Sequence, residues 1–256
     1  MLSPQAEAII NDYITLPFPN RQVTCPYYNN RRSGMRGGLR VLIGKGSPED
    51  IAEEALIISL KDKIDLEGLD NEGLQKFLVD HRLGVDCSGF AYHVLNAELC
   101  AQHNKRLRDA LFFPQAKNIF RKLIIKMRPA ENAGVKVLAH DRNSSVVAVN
   151  EAMPGDFIVM LGTNPKHDYD HVVLITDVSR EKNNTVLTYT HALQWVADGK
   201  YNHGVRRGTI TVNDNAAPLT KAIWTEQNCT GEKNETYQRA TEAQTLELRR
   251  LKALAK

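Results

Sequence analysis

The spacing of apolar residues changes along this chain from a helical to a strand-like period, and this change constrains the fold most strongly. Up to about residue 130, helical spacing predicts helices from Pro4 towards Pro17 and at 48–60, 71–81, 87–99 and 114–127. Beyond it, short apolar runs predict strands at 135–139, 146–150, 156–161, 171–178, 185–192, 208–212 and 220–225. Helices followed by strands favour an α+β fold with an antiparallel sheet over alternating α/β.

Four further predictions complete this organisation. Residues 39–44 are predicted to form a short strand, and residues 237–255 return to helical spacing and predict a C-terminal helix. No linker rich in Pro, Gly or Ser divides the chain, so we predict a single domain over 1–256. The predicted helix at 114–127 has an apolar face formed by Ile119, Phe120, Leu123 and Ile124.

Charge and cysteine usage exclude several classes of protein. Lys and Arg number 33 against 30 Asp and Glu, a balance that does not call for a nucleic-acid partner. No apolar window of about 18 residues exists, so no membrane-spanning helix is expected. The first residues lack the basic start and unbroken apolar core of a secretory signal, which predicts a cytoplasmic protein and leaves export by a non-Sec route open. The four cysteines are widely spaced, which argues against a zinc ribbon or a disulfide scaffold.

The segment Asp86-Cys87-Ser88-Gly89-Phe90 leads directly into a helical pattern and is the sharpest local signal for chemistry. A helix N-terminus stabilises a thiolate through its dipole and its backbone N–H groups. Asp86 is suited to cap that helix, and the small Ser88 leaves room for a substrate. Cys87 is therefore a candidate nucleophile, and a buried cysteine that packs as a small hydrophobe is the alternative.

A cysteine nucleophile needs a base, and two histidines occupy suitable strands. His171 begins the apolar run His-Val-Val-Leu-Ile, and His191 lies in the next predicted strand. Adjacent antiparallel strands can place these two side chains beside each other. On general grounds a histidine at a strand start is more often a hydrogen-bonded polar residue than a catalytic base. The histidine pair therefore supports a catalytic site only in combination with Cys87.

Four ordered blocks, over residues 84–192, resemble the NlpC/P60 family of papain-like cysteine peptidases. They are Asp86 to Phe90, Pro154-Gly155-Asp156 before an apolar strand, the strand that begins at His171, and Thr190-His191-Ala192. The resemblance implies a papain-like fold in which the cysteine-bearing helix packs on an antiparallel sheet of about five to six strands. It also implies Cys87 as nucleophile, His171 as base and His191 as the orienting residue.

The resemblance further implies inserted helical segments at about 48–81 and 105–128. Family members often have a Pro-Tyr pair ahead of the cysteine, and Pro26-Tyr27 resembles it, with Tyr28 as a neighbouring candidate. Here roughly sixty residues separate this pair from Cys87, and Asn29-Asn30 stands where the family has an aromatic-Gly-Gly sequence. Tyr27, Tyr28, Asp86 and Ser88 are candidate substrate or oxyanion residues.

The implied activity is hydrolysis of amide bonds in peptidoglycan-derived peptides, such as γ-D-glutamyl bonds, by a Cys-His-His triad through a thioacyl intermediate. The expected partner is a small peptide or muropeptide, and no cofactor and no metal are expected. The alternatives are a thiol-dependent deamidase or acyltransferase on the same fold, and a catalytically inactive binding module. The basic loop from Arg31 to Arg40 is either a solvated loop or a site for an acidic substrate.

Overall fold

A computed structural model describes residues 1–29, 40–164, 166–181 and 184–255 of the chain. The α-helices of these residues are α1 Pro4–Ile14, α2 Pro48–Asp62, α3 Asn71–Asp80, α4 Cys87–His103, α5 Leu107–Ala110, α6 Ile119–Met127, α7 Pro129–Asn132, α8 Val135–Leu138 and α9 Glu235–Glu242. The strands are β1 Ser144–Val146, β2 Phe157–Leu161, β3 Asp170–Glu181, β4 Asn184–Leu193, β5 Gly204–Val212, β6 Ile223–Glu226, β7 Cys229–Thr230 and β8 Thr245–Leu251.

All eight strands described form one antiparallel sheet, which confirms the predicted α+β class. Their order across the sheet is β1-β8-β2-β3-β4-β5-β6-β7. The predicted number of about five to six strands is too low, because short or polar segments such as β1, β7 and β8 also join the sheet. Strands β2 to β7 follow one another in space as they do along the chain, which is the arrangement of a meander.

The starts of the main helices follow their sequence signals. Ser3 caps α1 by accepting a hydrogen bond from the Ala6 backbone N–H, and Pro4 occupies the first turn. Ser47 and Asp50 form a reciprocal capping box at the start of α2. These two helix starts therefore lie where the sequence predicts them.

The sheet carries a hydrophobic core on each of its faces. Along β2, Phe157 and Val159 belong to the first core, which packs against α1 and α4, whereas Ile158 and Met160 belong to the second. This alternation follows from the two-residue period of a strand. Because both cores draw on the same strands, the position of α4 relative to β3 and β4 is fixed by packing.

The predicted C-terminal helix at 237–255 is wrong beyond its first turns. Helix α9 ends at Glu242, and β8 then lies between β1 and β2, with Leu248 opposite Ile158. Apolar residues spaced by two and three positions fit either period in a short segment. Pairing with two neighbouring strands satisfies the backbone on both sides of β8 and overrides local helix propensity.

Three short apolar runs also differ from their predicted strands. Residues 135–139 form helix α8, and residues 39–44 contain a 3-10 helix at Val41–Ile43 within their described part. The predicted strand at 146–150 is replaced by the end of β1 and a 3-10 helix at Val149–Glu151. Apolar runs of this length do not distinguish a strand from a buried helical turn.

The apolar face predicted at 114–127 points into solvent instead of into a core. Helix α6 spans only Ile119–Met127, and Ile119 and Phe120 are 76% and 77% exposed. Ile125 is the buried residue of this helix. Among the described residues, no helix combines the length and the hydrophobicity needed to cross a membrane.

Candidate active site

Cys87 is the first residue of α4, as its sequence context predicts. The Asp86 carboxylate caps the helix by accepting a 2.6 Å hydrogen bond from the Gly89 backbone N–H. The first N–H groups of a helix have no partner within it, so the backbone around Cys87 provides donors for an anion. The predicted capping role of Asp86 is confirmed.

Three chain segments meet immediately before Cys87. Tyr27 bridges Val85 in parallel, and Lys45 bridges it from the other side in the antiparallel direction. Gly44 is needed for this approach: it has φ +74°, and a Cβ atom there would lie 2.2 Å from the Tyr28 carbonyl oxygen. The predicted Tyr27 and Tyr28 therefore lie beside the start of α4, although roughly sixty residues separate them from Cys87 along the chain.

The side chain of Lys45 lies buried beside the start of α4. Its ammonium group donates to the Asp86 carboxylate at 2.8 Å and to the Ser88 hydroxyl at 2.5 Å. The Ser88 hydroxyl in turn donates to Asp86 at 3.0 Å. This closed set of bonds holds Ser88 and the cap in place, so the role of Ser88 seen here is to anchor the first turn.

The surroundings of Cys87 oppose ionisation of its thiol. Burial raises the pKa of Cys87 to about 12, and the Asp86 carboxylate adds to the increase. Lys45 and the backbone N–H groups of Val172 and Ser88 act in the opposite direction. The contact with Val172 places the sulfur against the beginning of β3, at the residue that follows His171.

His171 and His191 lie in direct contact inside the sheet, as the sequence predicts for adjacent strands. His171 Nε2 lies 2.7 Å from His191 Nδ1, and the two rings are 2% and 0% exposed. The pairing of Leu174 with Thr190 in β3 and β4 sets this proximity. A buried pair of imidazoles at hydrogen-bond distance requires one ring to donate and the other to accept.

Glu226 extends this pair into a chain of three groups. His191 Nε2 lies 3.0 Å from Glu226 Oε2, which also accepts a 2.6 Å hydrogen bond from the Tyr189 hydroxyl. Burial favours the protonated acid, but the interactions of the carboxylate with His191, Tyr189 and Arg206 hold the pKa of Glu226 below its usual value. Glu226 is therefore a buried carboxylate at neutral pH.

The carboxylate fixes the direction of every hydrogen bond in the chain. An ionised carboxylate only accepts, so His191 donates its Nε2–H to Glu226. We assign His191 this single ring proton, with which its Nδ1 accepts from His171. His171 consequently carries its proton on Nε2. Its Nδ1 is the basic nitrogen, which is the atom required to take a proton from a thiol.

Two features of β5 support the buried carboxylate. Gly208 lies between Tyr189 and Glu226 in register, and a Cβ atom there would lie 2.3 Å from Tyr189 Cζ. The absent side chain lets the tyrosine ring cross β5 and reach Glu226. Arg206 pairs with Asp198 at 2.6 Å and lies 3.7 Å from Glu226 Oε1, so it partly balances the buried charge.

A cleft of about 690 Å³ opens at Cys87. Ligand pockets have volumes of about 300–1,000 Å³, so it could hold a small peptide. Its charged lining has both signs and consists of Lys45, Asp86, Arg121, Glu131, Lys136, Asp168 and Asp170. His171 is itself buried, but the two residues before it line the cleft.

Lys45, Tyr189 and Glu226 were not identified by the sequence analysis. Lys45 stands between two glycines just before a helix start, and this was the signal that could have marked it. Glu226 closes the strand Ile223–Glu226, where an acid after an apolar alternation is a weaker signal.

The predicted basic loop falls largely outside the described residues, and its described member Arg40 pairs with Asp50 at 3.6 Å. Within the described ranges, no group of three or more His, Cys, Asp or Glu side chains could hold a metal ion.

Comparison with known proteins gave no match: no protein-family model, no curated protein and no solved structure is similar to this chain.

Proposed function

We propose that the chain is a cysteine hydrolase of NlpC/P60 type, with a papain-like arrangement, that cleaves amide bonds in peptidoglycan-derived peptides. The observation that carries the proposal is the buried hydrogen-bonded chain His171–His191–Glu226. Its first member, His171, directly precedes Val172, whose backbone N–H contacts the Cys87 sulfur. A histidine held in one tautomer by a second polar group is the arrangement that activates a cysteine nucleophile.

In the proposed reaction, His171 transfers the Cys87 proton to the leaving group. His171 Nδ1 takes the Cys87 proton, and the thiolate attacks the amide carbonyl carbon while backbone N–H groups at the start of α4 stabilise the oxyanion. His171, now positively charged, is stabilised through His191 by the Glu226 carboxylate. It returns the proton to the leaving amine as the C–N bond breaks, and a water activated by His171 then hydrolyses the thioester.

The charges of the cleft are compatible with a peptide that carries both amino and carboxylate groups. Among the residues that line it, Lys136 lies 3.6 Å from Asp170, and Arg121 donates to Asn132 at 3.0 Å. Peptidoglycan stem peptides have free carboxylates and a diamino acid, so they offer partners for both signs. A γ-D-glutamyl bond is the bond that the family resemblance favours.

The test is incubation with defined muropeptides, followed by mass spectrometry of the products. The expected result is cleavage of one amide bond by the wild-type chain and its loss in Cys87→Ala and in His171→Ala. His103→Ala, an exposed histidine at the end of α4, is the matched control and is expected to retain full activity. Absence of cleavage of any such peptide, or cleavage that persists in Cys87→Ala, would overturn the proposal.

One observation favours a second candidate, a thiol-dependent acyltransferase or deamidase on the same fold. The exposed apolar helix α6 borders the cleft through Arg121, which suits a substrate or acceptor with an apolar part. A mass increase on an acceptor, or loss of ammonia without peptide cleavage, would favour this candidate. A catalytically inactive binding module is the third alternative, and failure of a thiol-directed reagent to label Cys87 selectively would favour it.

A further inference from the structure

Helix α6 presents its apolar residues outward. Its single buried side chain is Ile125, and five large apolar side chains are exposed by 40% or more: Ile119, Phe120, Leu123, Ile124 and Met127. At about 100° per residue, these five fall within an arc of about 140° that is centred opposite Ile125. The helix therefore buries one side chain, and the apolar face that usually packs against a core is exposed to solvent.

This apolar arc lies within a basic stretch of the chain. From Asp109 to Glu131 the sequence contains five Lys or Arg residues and no acidic residue between them. Around the helix, Arg121 lies on one side of the arc and Lys122 and Lys126 on the other, and all three are exposed. The surface thus combines apolar side chains at its centre with positive charge on both borders.

From this combination we propose that α6 docks onto an anionic lipid surface. An interfacial helix lies in the plane of the membrane with its apolar face among the acyl chains and its Lys and Arg side chains near the headgroups. A nine-residue helix is far too short to cross a bilayer, which needs about 20 residues. Positive charge on both borders is complementary to anionic headgroups, which attract basic residues at the surface.

The charges favour lipid over a second copy of the chain. A two-fold dimer through α6 would set the same positively charged surface against itself. Nucleic acid would match the charge but would leave the exposed Phe120 and Leu123 without a partner. Docking by α6 would also bring the membrane to the border of the cleft, because Arg121 belongs to both.

Helix α2 provides the matched control. It also exposes apolar side chains, with Ile57 at 59% and Leu60 at 79%, but it carries five acidic residues against one lysine. Because α2 also exposes apolar side chains but has the opposite charge, it distinguishes nonspecific hydrophobic adsorption from docking on an anionic surface. The double variant Ile57→Ser/Leu60→Ser is expected to bind vesicles like the wild type.

The experiment is sedimentation with vesicles of phosphatidylcholine alone and of phosphatidylcholine mixed with phosphatidylglycerol. The wild-type chain is expected to bind the mixed vesicles only, and less at high salt, where charges are screened. Lys122→Gln/Lys126→Gln is expected to weaken binding about 30-fold. Phe120→Ser/Leu123→Ser is expected to weaken it about 100-fold, and since both residues are exposed the fold should be retained, as circular dichroism can verify.

Three results would overturn the proposal. They are no binding to the mixed vesicles, binding that both α6 variants leave unchanged, and a dimer in light scattering that Phe120→Ser/Leu123→Ser dissociates. The last would assign the surface to a second copy. Cys87→Ala is expected to bind vesicles like the wild type, so the outcome does not depend on the proposed hydrolase activity.

Discussion

At the scale of residues, the reactivity that we propose for Cys87 requires a proton acceptor. Cys87 is 4% exposed and burial opposes ionisation of its thiol, so the helix N-terminus alone does not produce a thiolate at neutral pH. The tautomer imposed by Glu226 makes His171 Nδ1 basic, and this nitrogen is the acceptor that we assign. Nucleophile and base are thus expected to act as one unit.

Replacing His171 should therefore change the pH dependence of Cys87 labelling. In His171→Ala the thiol keeps the raised pKa of about 12 that burial imposes, without a base to accept its proton. We expect iodoacetamide labelling of Cys87 at pH 7.5 to be slower by about tenfold or more and to recover only as the pH rises towards that value. Peptide-resolved mass spectrometry measures the rates.

The partly exposed Cys100 and Cys229 serve as internal standards for labelling, and His103→Ala as the matched variant. Identical pH profiles of Cys87 labelling in the wild type and in His171→Ala would contradict the assignment of His171 as base.

The buried Glu226 carboxylate should make stability depend on acid pH. Because its pKa is lowered in the folded state, its contribution is present above about pH 4.5 and is lost as the pH falls through the folded-state value. At pH 7, Glu226→Gln is expected to lower the free energy of unfolding by roughly 1–3 kcal/mol. The difference from the wild type should shrink as the pH decreases below 4.5.

Urea unfolding at several pH values measures this difference. Glu242→Gln, at an exposed position of α9, is the control and should behave like the wild type at every pH. A difference for Glu226→Gln that is independent of pH would show that the carboxylate is not ionised in the folded state.

Local sequence signals predicted some of these residues and could not predict others. Asp86 and Cys87 were accessible because a helix start has a recognisable chemistry, and His171 because it opens an apolar strand. Lys45 and Glu226 reach the site only through backbone bridges and strand register. The local sequence around either residue does not determine how distant strands align.

At the scale of elements, the hydrogen-bonded side chains that link β3 and β4 to Glu226 in β6 pass over β5. This requires a position in β5 that has no side chain. Gly208 is that position, since it is paired with Tyr189 of β4 on one side and with Glu226 of β6 on the other. A glycine in the interior of a strand usually weakens it. Here its missing side chain allows a tyrosine ring to lie across the strand.

Gly208→Ala should therefore destabilise the sheet. The added methyl group would lie 2.3 Å from Tyr189 Cζ, so the ring must move and its 2.6 Å bond to Glu226 is lost. We expect a decrease of about 1–3 kcal/mol in the free energy of unfolding, measured by urea denaturation. Gly134→Ala has open space around the added atom and should change stability by less than about 0.5 kcal/mol. Equal effects of the two substitutions would contradict the packing argument.

The elements also show where periodicity is a sufficient guide. Helices α1 and α2 have both a cap and a long apolar stripe, and both begin where predicted. The segment that forms β8 has neither a cap nor a long run, and its strand conformation depends on partners about 90 residues earlier, at Phe157 and Ile158. Non-local pairing therefore decided the segments for which the local pattern was ambiguous.

At the scale of the whole molecule, the sheet joins two cores that cannot separate without breaking its strands. Val172 and Leu174 of β3 belong to the core under α4, and Val173 and Ile175 to the opposite core. Loss of either core removes one face of the same strands. We therefore expect the described part of the chain to unfold as one cooperative unit, in line with the predicted single domain.

Two leucine truncations, one in each core, test this coupling. Leu99→Ala in α4 and Leu248→Ala in β8 remove side chains that are 0% and 3% exposed, and each should lower the free energy of unfolding by about 2–5 kcal/mol. In both variants, guanidinium unfolding followed by far-ultraviolet circular dichroism and by fluorescence of the buried Trp195 and Trp224 should give coincident midpoints. Leu60→Ala, at a 79% exposed position, should leave both midpoints within about 0.5 kcal/mol of the wild type. If Leu248→Ala moved the fluorescence transition while the helical signal kept the wild-type midpoint, the two cores would be separate folding units, and the sheet could not be what holds α4 against His171.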